Sequence, residues 1–144
     1  MKLWLKILLS LFAIGVIAAA LIYVFVYNKP HPDFEKMKPD FTVSAADIYK
    51  AFKTNKAGAE KKFNGKVIEI TFKLSKIESS DSVVTAVCVF NEGMFGDEGL
   101  RCSLLKKYYE DAKKIPAGKE IKIKGYCTGY NDTDVILEQC CIVK

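Results

Sequence analysis

Hydrophobic and polar positions change their spacing several times along this chain, and each change marks a predicted element. From Leu3 to Tyr27 nearly every position is apolar, with only Lys6 and Ser10 interrupting. Ile7 to Tyr27 alone supplies 21 residues, enough for a helix to cross a hydrocarbon core of about 30 Å. The stretch "NKPHPDFEKMKPDF" comes next, in which Pro30, Pro32 and Pro39 obstruct both helix and ladder formation and predict an extended stalk over residues 29–43.

Ser44 then reads as a helix N-cap, with Asp47 at the reciprocal capping position and Val43 placed to staple onto Ile48. Ile48, Ala51 and Phe52 share one helical face while Lys50 and Lys53 turn away. The pattern pauses at Thr54 and Asn55 and resumes with Ala57, Ala59 and Phe63, predicting a helix, a kink and a second short helix that ends at Asn64 and Gly65.

From Lys66 the period becomes two. Ile68, Ile70, Phe72 and Leu74 alternate with polar residues as a half-buried strand, and Val83 to Phe90 forms a second. A glycine-rich loop, Asn91 to Gly99, leads into a short third strand at "LRCSLL". Leu104 to Lys114 has helical spacing and stops at Pro116 and Gly118. Ile121 to Tyr130 and Asp134 to Val143 are the fourth and fifth strands, joined by a turn at Asn131 to Thr133. Three strands, a helix and two strands is the order of an OB-fold. The fold class expected is therefore mainly β with α: a five-stranded OB-fold barrel with an N-terminal helical extension, preceded by a single transmembrane helix. The boundaries are 1–28 for the membrane segment, 29–43 for the stalk and 44–144 for the domain.

The apolar segment is a retained anchor or a targeting signal. Ala18, Ala19 and Ala20 would suit a signal peptidase, but "LIYVFVY" continues the apolar run beyond them, which favours the anchor. A lipoprotein attachment cysteine is missing from the end of the run. Trp4 on one side and Tyr23 and Tyr27 on the other fit interfacial aromatic belts. Lys2 and Lys6 before the segment are balanced by Lys29, Lys36 and Lys38 after it, so orientation rests on the habit of N-terminal helices to export the chain behind them. The domain is expected on the extracytoplasmic side, periplasmic or at the cell surface. Without Lys2 and Lys6 the chain keeps 20 basic and 17 acidic residues, a net charge of +3. That is too mild to argue for nucleic acid.

The segments "VSAADIYKAFKTNKAGAEKKFNGKVIEITFKLSKIE", "VCVF", "IKIKGYCTGY" and "DVILEQCCI" resemble the tRNA_anti-like family of bacterial OB-fold proteins, many of them membrane-anchored or exported. The resemblance spans Ser44 to Lys144 and departs at Phe72, where similar sequences often carry glycine. It implies an OB-fold; the family name does not itself imply an activity.

OB-folds bind single strands with a basic groove, aromatic platforms and the loops at one rim. Here those loops carry Glu78 and Asp81, then Glu92, Asp97 and Glu98, then Asp132 and Asp134. An acidic rim repels a phosphate backbone. Tyr126 and Tyr130 are the only stacking candidates nearby, so Glu78, Asp81, Tyr126, Tyr130, Asp132 and Asp134 stand as candidate ligand-rim residues, with nucleic acid disfavoured. The five cysteines lack the short paired spacing of zinc sites. A hairpin centred on Phe95 would set Cys88 opposite Cys102, and the last hairpin would bring Cys127 near Cys140 across a bulge, leaving Cys141 over. Two disulfides in an exported domain, or five buried thiols acting as small hydrophobes, both fit.

His31, in the tripeptide His31-Pro32-Asp33, is the only histidine and precedes the domain. That tripeptide matches the loop signature of J-domain chaperone partners, but the flanking helices do not. With no domain histidine and no nucleophile elbow, neither catalysis nor a cofactor or metal is expected. Lysines 50, 53, 56, 61, 62 and 66 crowd the two helices and read as a solvated face or a contact with anionic lipid or polymer. The sequence thus points to a membrane-anchored, non-catalytic OB-fold binding or scaffolding module at the cell envelope, partnered by an envelope protein or polymer. The alternative is a membrane-tethered, cytoplasm-facing domain that binds single-stranded nucleic acid.

Overall fold

The computed structural model describes residues 2–28 and 32–144. Lys29, Pro30 and His31, which begin the expected stalk and the His31-Pro32-Asp33 tripeptide, lie outside the described residues. The chain divides into two compact units, Met1–Pro32 and Asp33–Lys144.

The first unit is one helix, α1 (Leu3–Ile22), whose end is wound as a π-helix over Tyr23–Tyr27. Leu3–Tyr27 is 25 residues with none buried, about 38 Å at 1.5 Å per residue. It is long and apolar enough to cross a membrane. Ser10 Oγ donates to Ile7 O at 2.8 Å, so that hydroxyl is satisfied within the helix. Such a helix is compatible with an anchor and with a signal sequence.

In the second unit, β1 (Phe41–Ser44) leads into α2 (Ala45–Thr54) and α3 (Lys56–Phe63). Then come β2 (Val67–Lys73), β3 (Lys76–Ser79), β4 (Val84–Gly93) and β5 (Gly96–Leu104). A 3₁₀ turn (Lys106–Tyr108), α4 (Tyr109–Lys113), β6 (Glu120–Tyr130) and β7 (Asp134–Val143) complete it. The helix breaks fall where capping chemistry puts them. Ser44 Oγ accepts from Asp47 N at 3.2 Å and Asn55 Oδ1 from Gly58 N at 3.1 Å, so Asn55 ends one helix and caps the next.

The strands form one mixed seven-stranded sheet in the order β1-β2-β6-β7-β5-β4-β3. The pairs β1/β2 and β5/β7 are parallel and the others antiparallel. Alternation buries Ile68, Ile70 and Phe72 of β2, Leu100, Cys102 and Leu104 of β5, and Ile121 and Ile123 of β6 against Ile48, Phe52 and Phe63 of the helices. Each such side chain contributes about 1.5–3 kcal/mol by leaving water.

Seven strands replace the expected five for two local reasons. Phe41 and Val43 alternate with Thr42 and Ser44, a strand hidden among prolines, and the Phe41 ring meets Phe63 edge-on at 5.4 Å. The expected first strand splits at Leu74 and Ser75. Leu74 is buried and exchanges bonds with the segment before β6 (Leu74 N to Lys119 O, 2.9 Å; Gly118 N to Leu74 O, 2.7 Å). Ser75 instead bonds β4 (Ser75 N to Val87 O and Val89 N to Ser75 Oγ, both 2.9 Å). The corner after Phe72 is thus built by a change of hydrogen-bond partner, and no glycine stands there.

Two further expectations are corrected. The glycine-rich segment Asn91 to Gly99 is a continuation of the hairpin, paired Asn91 to Glu98, Glu92 to Asp97 and Gly93 to Gly96, with only Met94 and Phe95 left at its tip. From Asp33 onward the expected stalk belongs to the folded unit. Phe34 stacks on Tyr126 at 4.9 Å. Lys124 Nζ donates to Glu35 O at 2.7 Å and Met37 O at 2.8 Å, and the Glu35 carboxylate accepts from Lys107 and Tyr108. Asp40 and Val67 exchange two bonds, Asp40 N to Val67 O at 2.7 Å and Val67 N to Asp40 Oδ2 at 2.9 Å. Proline denies the segment a helix of its own, and it takes its order from these partners instead.

Candidate functional site

Because Leu100, Cys102 and Leu104 point inward, Arg101 and Ser103 fall on the outer face of β5. Register sets Arg101 beside Val87 of β4 and Ile136 of β7. From there its guanidinium reaches carboxylates on β3 and β7: Nη1 lies 2.5 Å from Glu78 Oε2 and Nε 3.0 Å from Asp134 Oδ2. Lys76 extends the chain of charges to Glu78 at 3.1 Å and Asp97 at 2.7 Å. One ionic network therefore crosses β3, β5 and β7.

Asp134 is its buried anchor, 6 % exposed. Besides Arg101, it accepts from Gly99 N at 3.0 Å and Thr133 Oγ1 at 3.3 Å, so its desolvation is offset by hydrogen bonds. Gly99 is required here: a Cβ on it would stand 1.9 Å from Cys88 O. Burial pushes the Glu78 carboxyl up, yet hydrogen bonds from Lys76 and Arg101 outweigh it and hold the group below its ordinary range. Asp97 is lowered by its bond to Lys76. Glu78, Asp97 and Asp134 against Lys76 and Arg101 leave one surplus negative charge.

A second set of pairs ties the helices to the same end of the sheet. Lys53 Nζ bonds Glu98 Oε2 at 2.6 Å, Tyr49 Oη donates to the same oxygen at 2.9 Å, and the Tyr49 ring stacks on Phe90 at 5.1 Å. Lys56 Nζ bonds Asp132 Oδ1 at 2.6 Å and lies over the Tyr130 ring. Most of the rim acids are paired: Glu78, Asp97, Glu98, Asp132 and Asp134 each hold a Lys or Arg, while Asp81 and Glu92 are exposed. Sequence reasoning missed the partners Lys53, Lys56, Lys76 and Arg101. Their signal was opposite charge at neighbouring strand and helix positions, which becomes a contact only through tertiary register.

The predicted rim residues separate into distinct places. Glu78 and Asp134 are joined through Arg101, whereas Asp132 and Tyr130 join through Lys56. The Tyr130 ring also packs on Phe52 at 5.6 Å, a core role. Tyr126 lies against Phe34, away from the network, and Asp81 is exposed in the β3–β4 turn.

The five cysteines are free and buried. Cys88 pairs with Leu100 and Cys102 with Ala86, two residues out of the expected register, because the hairpin turns at Met94–Phe95 and bulges between Val89 and Asn91. Cys127 faces Leu137, and the Cys140 thiol instead fills the space over Gly125, where a Cβ would come within 2.4 Å of its sulfur. Burial pushes the Cys88 and Cys127 thiols up to about 11, and that of Cys140 well above its usual range. Among the described residues no three His, Cys, Asp or Glu side chains converge to hold a metal ion.

Beside the network lies a cavity of about 400 Å³ lined by Val83, Ser103, Leu104, Leu105, Lys106, Tyr109, Glu138 and Gln139. Gln139 holds φ at +54° where β7 shifts register against β5, and Tyr109 Oη donates to Ser82 O at 3.1 Å. Network and cavity together make the outer face of β5 and β7 the principal candidate surface.

None of the curated proteins compared with the chain matches it. Among solved structures, 41 chains match. One is a Klebsiella pneumoniae lipoprotein named as a candidate nucleic acid-binding protein. It is 22 % identical with a TM-score of 0.54, and the match covers 81 % of this chain and 100 % of that one. At that identity the likeness is one of fold. The tRNA_anti-like family matches over residues 1–142, and with nearly the whole length covered, this chain belongs to the tRNA_anti-like family.

Proposed function

We propose that the protein is a membrane-anchored, non-catalytic binding module of OB type, held at the extracytoplasmic face of the envelope by α1. Support for the OB topology comes from the parallel β5/β7 pair and from the Leu74–Ser75 corner, which bonds β4 on one side and the start of β6 on the other. Non-catalytic action is supported by a domain sequence without histidine and by thiols that burial keeps protonated.

The observation that carries the reading is the Arg101 network. Its two cations on the β3–β5–β7 face are already satisfied by Glu78, Asp97 and Asp134. A phosphate backbone would have to displace those carboxylates, so the surface suits a protein or uncharged polymer contacting the adjacent cavity. A second reading is single-strand binding from the cytoplasmic side, of which the name of the Klebsiella lipoprotein favours the nucleic-acid part alone.

Two measurements separate them. Fluorescence anisotropy of labelled single-stranded oligonucleotides with the detergent-solubilised full chain is expected to show no salt-dependent binding. A Met94→Cys variant, at a position 96 % exposed, is expected to react with a membrane-impermeant maleimide in intact cells, while the buried native thiols give little background. Oligonucleotide binding that weakens with salt, together with an unlabelled Cys variant, would overturn the proposal in favour of the second reading.

A further inference from the structure

We infer that the surface formed by Lys36, Met37, Lys38, Lys62 and Lys66 binds anionic lipid headgroups of the bilayer in which the chain is anchored. The inference rests on the anchor reading above and adds a lipid specificity to it.

These residues come together because the segment after the apolar helix is folded onto the sheet. Phe34 stacks on Tyr126, and the Tyr126 hydroxyl lies 3.6 Å from where a Gly65 Cβ would be, so the segment runs beside the Gly65–Lys66 corner. Asp40 is bonded to Val67, the residue after Lys66, which brings the approaches to β1 and β2, Lys38 and Lys66 among them, side by side. Lys62 Nζ is held over the Phe41 ring at 5.5 Å and the Phe63 ring at 5.1 Å, at the start of that pair. Met37, 43 % exposed, sits between two lysines as an apolar side chain in a cationic surround, the combination that suits the headgroup boundary.

Charge separates this surface from the rim. Lys53, Lys56, Lys76 and Arg101 are consumed by rim carboxylates. On this side the nearby acids are Asp33, bonded to Lys36 at 3.2 Å, Asp40, whose carboxylate takes the Val67 N–H, and Glu35, whose carboxylate is taken by Lys107 and Tyr108. These four lysines and Lys107 against these three acids leave a surplus of two positive charges. In sequence, Asp33 follows Tyr27 after only five residues. Lys36 and Lys38 thus follow an apolar span closely in sequence, and an anionic headgroup surface attracts lysines that reach it.

The test uses the full chain reconstituted in nanodiscs of phosphatidylcholine alone or phosphatidylcholine with phosphatidylglycerol, footprinted with an amine-reactive reagent. Lys38, Lys62 and Lys66 are expected to label about threefold or more slowly in the anionic discs, with Lys53 and Lys76 unchanged. The difference should fade as salt rises from about 0.1 M to about 1 M and the screening length falls from about 10 Å to about 3 Å. A Lys62→Ser, Lys66→Ser variant, changed only at exposed positions, should lose the protection at Lys38 while keeping its circular dichroism. Equal labelling in both discs, in a chain that resists alkaline extraction, overturns the lipid surface and leaves the anchor standing. A chain released by alkaline extraction overturns both.

Discussion

Arg101 shows how much one side chain on an outer strand face can organise. It satisfies the buried Asp134 and holds Glu78 at 2.5 Å, so Arg101→Ala strands a carboxylate that is only 6 % exposed. We expect a loss of about 2 kcal/mol or more in urea unfolding. The pH dependence has a definite sign. Glu78 and Asp97 titrate below their ordinary 4.5 and 3.8 when folded, so the unfolded chain binds protons first on acidification. Their stabilisation is complete above the carboxylate range and drains away as pH falls through it. In the Arg101→Ala variant that acid-side slope should flatten. Gly125 supplies a second test. A methyl there meets the Cys140 sulfur inside a packed core, so Gly125→Ala should cost about 1–3 kcal/mol. Adding Cys140→Ala should restore much of it, a coupling visible in a double-mutant cycle.

At the scale of elements, the β4–β5 hairpin carries its least expected feature at its tip. Met94 and Phe95 are 96 % and 94 % exposed and bury too little to stabilise the fold. Replacing both with serine should leave the unfolding midpoint within about 0.5 kcal/mol of the parent. A larger loss would mean that the tip packs in solution. The docked segment behaves differently, since Glu35 is held below its usual range by Lys107 and then Tyr108. Its contribution is present above the carboxylate range and lost as pH falls through it. Amide exchange in residues 34–40 should therefore quicken on acidification before the sheet opens, once intrinsic exchange rates are divided out. The sequence made the helices legible because Ser44 and Asn55 cap locally. It made β1 illegible because a four-residue strand is fixed by its partner β2, and flanking prolines read more loudly than its alternation.

For the whole molecule, the division at Pro32 has a direct consequence. Asp33–Lys144 holds its own core, with Ile48, Phe52, Ile68, Ile70, Leu100, Ile123 and Leu137 all nearly or fully buried. A chain beginning at Asp33 should fold cooperatively and retain the strand-rich circular dichroism of the parent. Non-cooperative melting would show that α1 is needed for more than attachment. The sequence by itself determined the apolar span, the two capped helices and the cores of the longer strands, because unbroken hydrophobicity, spacing of 3.6 and spacing of two are written along the chain. It also determined the acidic character of the rim loops. Only tertiary structure decided what those acids and cysteines do. A turn centred between Met94 and Phe95 and one bulge together moved Cys88 and Cys102 out of register, and residue slips of that kind cannot be read from spacing. Lysines far away in sequence closed the rim, because charge pairing depends on distances of a few ångströms that the folded chain alone sets.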